Sequence, residues 1–284
     1  MRVLVGSDAE ILSPVFVAAD GETAVAADAT PTCTVADGAG TALAAPLVMA
    51  VEPGLYAAAL TAAAHTAALD TLTLTWSATV SGKVQRTIQT VEVAGGTYVA
   101  LSTLRQIPAL DNADKFSTLT LRTAREEFED IAEHYLGVAF VPRAARETII
   151  GTGQCHLMLG CPMPRLIRSL TVDGVTIDVS TVELAEAGWI TRDQGWARGA
   201  VVDIVYEHGF DTPTGPIVRA CIEFVRAGLL QSASGLPRNT IDVSFDGLSL
   251  RASTADIMQR RPTGWLTVDA ALNQAPSFAA PAVA

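Results

Sequence analysis

The chain has no run of about eighteen apolar residues, the minimum for a helix across a bilayer, so the sequence predicts no membrane span. It also lacks a secretory signal pattern at its start. Arg2 is the one early positive charge, and Asp8 and Glu10 interrupt the apolar stretch a signal would need. Basic residues are scarce: 19 Lys and Arg stand against 30 Asp and Glu, for a formal net charge of −11. No Lys/Arg cluster offsets this locally. Such a surface repels nucleic-acid phosphate, so DNA that meets this chain is expected to slide past it without specific binding. Cysteine is sparse too. Cys33, Cys155, Cys161 and Cys221 are scattered over 284 residues, which argues against a disulfide framework and for reduced thiols in a cytosolic assembly.

Catalytic arrangements are equally thin. There is no G-x-S-x-G elbow and no H-E-x-x-H helix. Ser81-Gly82-Lys83 lacks the upstream glycine of a phosphate loop. Gly151-x-Gly153 lacks the third glycine of a dinucleotide fingerprint and opens no helix. Cys155, His156 and Cys161 are soft-ligand types, but a zinc site needs a fourth donor, which would have to come from as far away as His134 or Cys221. Glu126, Glu129, Asp130 and Glu133 are close enough to share helix faces, and such runs are usually solvated. His208 is read as a turn or interface residue. Arg165 and Arg168 flank a strand as surface ion-pair residues. The expectation is therefore no enzyme, with no catalytic, cofactor-binding or metal-binding residue.

What is present is a globular composition, 49% hydrophobic and 17% charged, long enough for two ordinary domains. Residues 1–95 read as all-β. Runs at Pro14–Ala18, Cys33–Val35 and Leu47–Val51 are separated by turns at Asp20-Gly21, Asp37-Gly38 and Pro53-Gly54. The clearest strand is Leu72–Val80, whose alternation puts Leu72, Leu74, Trp76, Ala78 and Val80 on one face. Ile88–Val93 is its expected partner across Ser81-Gly82-Lys83. Ala57–Leu69 has helix-favouring alanines but lies where a sandwich needs a strand and a connection, so strand then loop is predicted.

Gly95-Gly96 marks a boundary. Beyond it, Ala100–Arg105 reads as a short helix. The stretch STLTLRTAREEFEDIAEHYLGVAFVPR at 117–143 then organises the rest. Leu121, Ala124, Phe128, Ile131 and Tyr135 recur in steps of three and four, predicting one buried stripe on a helix over about 114–136. Ser117 or Thr118 is the expected N-cap and Gly137 the left-handed stop. Strand runs follow at Glu147–Ile150, His156–Leu159, Leu166–Val172 with Val175–Val179 across Asp173-Gly174, Trp189-Ile190 and Val201–Tyr206. A second helix is predicted over 213–230, with Ile217, Ala220, Cys221, Phe224, Val225 and Gly228 facing the first. Residues 231–284 read as an extended C-terminal arm, with Ile241–Phe245 and Leu248–Leu250 pairing across Asp246-Gly247 and a short helix at Val268–Leu272.

Two resemblances add to this. GLYAAAL followed by LDTLTLTW resembles the late strands of the immunoglobulin-like modules common in phage structural proteins, without the paired cysteines of antibody domains. The segments AREEFEDIAEHYLGVAFVPR (124–143), LIRSLTVDGVTID (166–178), VVDIVYEHGFDTPTGPIVRACIEFVRAGL (201–229) and PTGWLTVDAAL (262–272), in that order, resemble the tailed-phage head-to-tail connector (adaptor) family of actinobacteriophage type. The immunoglobulin-like extension departs from that family's minimal form. The implied fold is α+β: an N-terminal immunoglobulin-like β-sandwich (1–95), a connector core of two long packed helices with inserted β-hairpins (96–230), and the C-terminal arm (231–284). The implied role is a virion protein of the head-tail neck, assembled in the host cytoplasm. Its copies would form a ring, usually a dodecamer, that touches the portal protein, extends the DNA channel and docks the next neck or tail protein. Residues 231–275 are expected to contact the portal or an adjacent subunit. Other readings are a stopper or tail terminator ring, or a carbohydrate-binding surface module. The last would need exposed aromatics; Trp76 and Tyr56 are the candidates, and the alternation turns Trp76 inward.

Overall fold

The computed structural model describes residues 1–234, 242–245, 248–251 and 263–275. The chain divides into two compact units. One is Met1–Gly96 with Val141–Gly209; the other is Thr97–Phe140 with Phe210–Ala284. This division differs from sequence boundaries at 95 and 230, because the strands between the long helices gather with the N-terminal sheets.

In the first unit, β1 (Arg2–Leu4), β2 (Ala9–Leu12), β3 (Thr32–Ala36), β4 (Leu47–Glu52), β5 (Leu55–Leu60), β6 (Asp70–Val80) and β7 (Lys83–Ala94) form two sheets, ordered β1-β7-β6-β3 and β2-β5-β4. β1 pairs with β7 in parallel; the other pairs are antiparallel. The alternation of β6 is realised, since Leu72, Leu74, Trp76, Ala78 and Val80 are all buried. They share one core with Ile11, Phe16 and Tyr56. The β6–β7 hairpin turns at Ser81 and Gly82, both at positive φ (50° and 74°), as a two-residue primed turn requires. Ala57–Leu60 is strand and 61–69 is loop, as the sandwich argument predicted. Pro14–Ala18 is not a strand. Only Val17 makes an isolated bridge, to Ala24, and Pro14 has no N–H to give a ladder.

The rest of this unit holds β8 (Arg143–Ile150), β9 (His156–Met158), β10 (Pro164–Val172), β11 (Val175–Thr176), β12 (Glu183–Ala185), β13 (Trp189–Thr191) and β14 (Val201–His208), in sheets β11-β10-β14-β8 and β12-β13-β9. Their core contains Leu170, Ile190, Trp196, Val202, Ile204 and Tyr206. β11 stops after two residues instead of running to Val179. The Asp178 side chain accepts from the N–H of Ser180 and turns Val179–Thr181 into a single 3-10 turn. Gly151 packs so closely that an added Cβ would stand 2.2 Å from the Ala197 carbonyl oxygen, which accounts for a glycine there.

The second unit is built on α1 (Leu101–Arg105), α2 (Thr118–Leu136), α3 (Gly215–Ser234) and α4 (Leu266–Gln274). α2 starts four residues after the expected Asp114. The Asn112 carboxamide holds the N–H groups of Asp114 and Lys115 in a turn, and Ser117 then caps the helix at Thr120 N. Gly137 ends it at φ 68°, its N–H on the Glu133 carbonyl. The buried stripe is rotated from the expected one. Leu121, Arg125, Phe128, Glu129, Ala132 and Leu136 face inward, whereas Tyr135 is 44% exposed. α3 packs on this face as expected: Ile217, Ala220, Cys221, Phe224 and Val225 are buried, and the Phe224 ring lies 5.5 Å from that of Phe128.

Residues 263–275 do not extend away, contrary to the arm expected over 231–284. α4 packs against α3, and Tyr135 Oη donates to Asn273 Oδ1 at 2.8 Å. Asp269 anchors the entry by accepting the Thr263 N–H and hydroxyl (3.1 and 2.7 Å). β15 (Asp242–Phe245) and β16 (Leu248–Arg251) pair antiparallel, as predicted. The remainder of the expected arm lies outside the described residues.

Candidate functional site

Several of the groups that carried candidate chemistry in the sequence are engaged in local contacts. Among the helix carboxylates, Glu129 is fully buried, 3.5 Å from Arg125 Nε, and accepts the Tyr98 N–H at 2.8 Å. Glu133 accepts the Tyr98 hydroxyl, and Glu126 lies 4.0 Å from Arg122. The buried acid is therefore an internal brace joining α2 to the segment before α1.

His156 packs edge-on against Trp189, while the Cys155 carbonyl accepts from Trp196 Nε1 (3.0 Å). None of the four cysteines is joined in a disulfide. Burial pushes the Cys33 thiol up to about 11 and raises that of Cys221 well above the ordinary range, so both stay protonated core groups. Among the described residues, no three His, Cys, Asp or Glu side chains are grouped to hold a metal. Gly153 turns at φ 86° with its N–H on the Trp196 carbonyl. The Ser81 and Gly82 amides donate to the Asp28 carboxylate (3.0 and 2.9 Å), so this turn is already filled by an acid.

Sequence reasoning missed two polar clusters in the first unit. Glu147 on β8 accepts the Tyr206 hydroxyl and the Gly160 N–H, while the Cys161 N–H donates to the Tyr206 oxygen at 3.0 Å. Burial, then the bond to Glu147, raises the Tyr206 phenol far above its usual value. In the other cluster, Glu92 sits between Arg2 Nε (2.9 Å) and the buried Arg143 Nε (3.4 Å). His208, opposite Arg143 in the β8–β14 register, is pushed down to about 4 by burial and by that guanidinium, so it is neutral at pH 7. Arg168 pairs with Glu207 of its own strand pair at 2.6 Å and donates to the Leu69 carbonyl at 2.7 Å. Only strand alternation could have shown Tyr206 as inward. Nothing in the pattern marks Glu147 or Glu92 as its neighbours' partners.

Several strand positions among the described residues expose apolar side chains. β4 ends its sheet, and Leu47, Met49 and Val51 on alternate positions are 67%, 42% and 50% exposed. Val84 and Ile88 stand out from β7, and Ile150 and Val201 from paired positions of β8 and β14. An edge strand with exposed apolar side chains is a surface other chains can complete. By contrast, Trp76 and Tyr56 are buried, which removes the aromatics that a carbohydrate-binding face would have used. A cleft of about 580 Å³ lies among Asp37, Asp70, Thr73 and Arg146. Both of its acids already accept backbone N–H groups of the β3 turn. Among the described residues, no helix is long and apolar enough to cross a membrane.

No protein-family model matches the chain, and no curated protein matches it. Among solved structures, a chain described as the neck of an empty GTA particle computed with C6 symmetry is similar at a TM-score of 0.36 and 14% identity. The similarity covers 49% of this chain and 80% of that one.

Proposed function

We propose that this chain is a structural protein of a tailed-phage neck: an adaptor whose copies form a ring under the portal, extend the DNA channel and dock the next neck or tail protein. It acts as a scaffold and carries out no reaction. The observation that carries this reading is the packing of α3 on both α2 and α4. These helices overlap three of the segments that resemble the connector family; Phe128 of α2 meets Phe224 of α3 in the core, and Tyr135 of α2 reaches Asn273 of α4 at the exposed edge. The strand orders β7-β6-β3 and β2-β5-β4 support an immunoglobulin-like first domain, because they correspond to the two sheets of that sandwich. Exposed apolar strands supply surfaces that neighbouring copies can cover. The acidic balance disfavours adhesion of passing DNA.

The test is to locate the protein in assembled particles by electron microscopy with a tag on the chain, and to count its copies. A ring of this chain directly beneath the portal is expected, and particles lacking the protein should be tailless filled heads. Its absence from the neck rejects the proposal, and a ring located farther along the tail assigns it to a terminator.

A further inference from the structure

α3 and α4 leave a groove of about 380 Å³ between them. Its floor is small: Ala220, Ala270 and Ala271 contribute only methyl groups, and Pro216 and Thr267 add further short walls. Arg219, Glu223 and Gln274 stand at its border, so an apolar trough has a polar rim, the layout of a docking surface. Gln274 is also the last residue of α4, so the chain leaves this helix at the groove itself. Ala275 itself is extended, with φ −76° and ψ 152°.

The nine residues that follow, Pro276–Ala284, contain no charge, five small alanine or serine side chains and one aromatic, Phe278. At about 3.3 Å per residue they can span about 30 Å. Pro216 to Glu223 occupies only about 10 Å of helix. The segment is thus long enough to cross to another molecule and matches the trough in chemistry.

We propose that residues 276–284 of one copy dock in the α3–α4 groove of a second copy, with Phe278 over the alanine floor. Each molecule then gives one arm and receives one. Repeated from copy to copy, such a head-to-tail contact builds a ring where its rotation closes and an open filament where it does not. The inference goes beyond the neck assignment and is read in solution without any particle.

The experiment uses three full-length chains followed by sedimentation velocity: wild type, Phe278→Ala (arm altered, groove intact) and Ala270→Trp (groove filled, arm intact). Ala270 is exposed on α4, and circular dichroism verifies that each variant is folded. Wild type is expected to self-associate, and each variant alone to associate at least tenfold more weakly. Mixing the two variants should restore pairing at one-to-one stoichiometry and no further, because one intact arm then meets one intact groove. A wild type that stays monomeric at millimolar concentration, either variant associating like wild type, or a mixture no stronger than its components overturns the proposal.

Discussion

Glu129 and Arg125 stand one turn apart inside α2, 3.5 Å from carboxylate oxygen to guanidinium nitrogen, with 0% and 6% of their side chains exposed. Each also ties down the segment before α1: Glu129 takes the Tyr98 N–H, and Arg125 donates to the Val99 carbonyl at 3.1 Å. Removing one member strands a charge in the core. Arg125→Leu is expected to cost about 3 kcal/mol or more of folding stability. Arg125→Leu combined with Glu129→Leu should cost less than the two singles added, which a double-mutant cycle by urea unfolding measures. Strict additivity would mean that the two residues do not act as a pair.

Tyr206→Phe removes the hydroxyl that donates to Glu147 and accepts the Cys161 N–H. The ring remains and packing is preserved, so the loss should be about 1–3 kcal/mol from unsatisfied polar groups. Thermal unfolding of the variant reads this. An unchanged midpoint would show that water replaces the hydroxyl.

His208 is held neutral, its pKa lowered from 6.5 to about 4. The unfolded chain takes up the proton first on acidification. The contribution of this group is therefore complete above about pH 6.5 and is lost as the pH falls toward 4. His208→Gln should flatten that part of the stability–pH curve relative to wild type. Parallel curves between pH 4 and 6.5 would refute the assignment.

Gly151→Ala places a methyl group 2.2 Å from the Ala197 carbonyl oxygen. Backbone must move to admit it, at an expected cost of about 1–3 kcal/mol. Gly174→Ala, with nothing within 4 Å of the added atom but φ at 77°, separates conformational strain from collision when both are compared by denaturant titration.

Leu47→Lys with Met49→Lys changes side chains that already face solvent, so stability should stay within about 0.5 kcal/mol. If β4 meets a neighbour in the neck, the same pair abolishes joining of heads to tails in a complementation assay. Normal particle yield would take β4 out of the assembly surface.

The features readable in the sequence were the local ones. Leu72 to Val80 alternate with period two and are buried with period two. Asp173 and Gly174 take positive φ at the turn their identities suggest, and Gly137 does so at the end of α2. The face of α2 was misplaced because a periodicity argument counts every charge as wet. Here the ion pair puts Arg125 and Glu129 inside and leaves Tyr135 at the edge with Asn273. Glu147 meeting Tyr206, and Glu92 meeting Arg143, depend on pairings across 59 and 51 residues of chain, which no local pattern encodes.

The first unit is interrupted. Residues 97–140 belong to the other unit, and only Val141–Gly209 completes the set begun by Met1–Gly96. During synthesis the leading β strands must wait until residues 97–140 of the other unit, and the start of β8, have left the ribosome before Glu92 can meet Arg143 and Gly95 can donate to the Pro142 carbonyl. No single cut in the gene yields either unit intact. Exchange of one unit between related chains therefore requires replacing two separated stretches together.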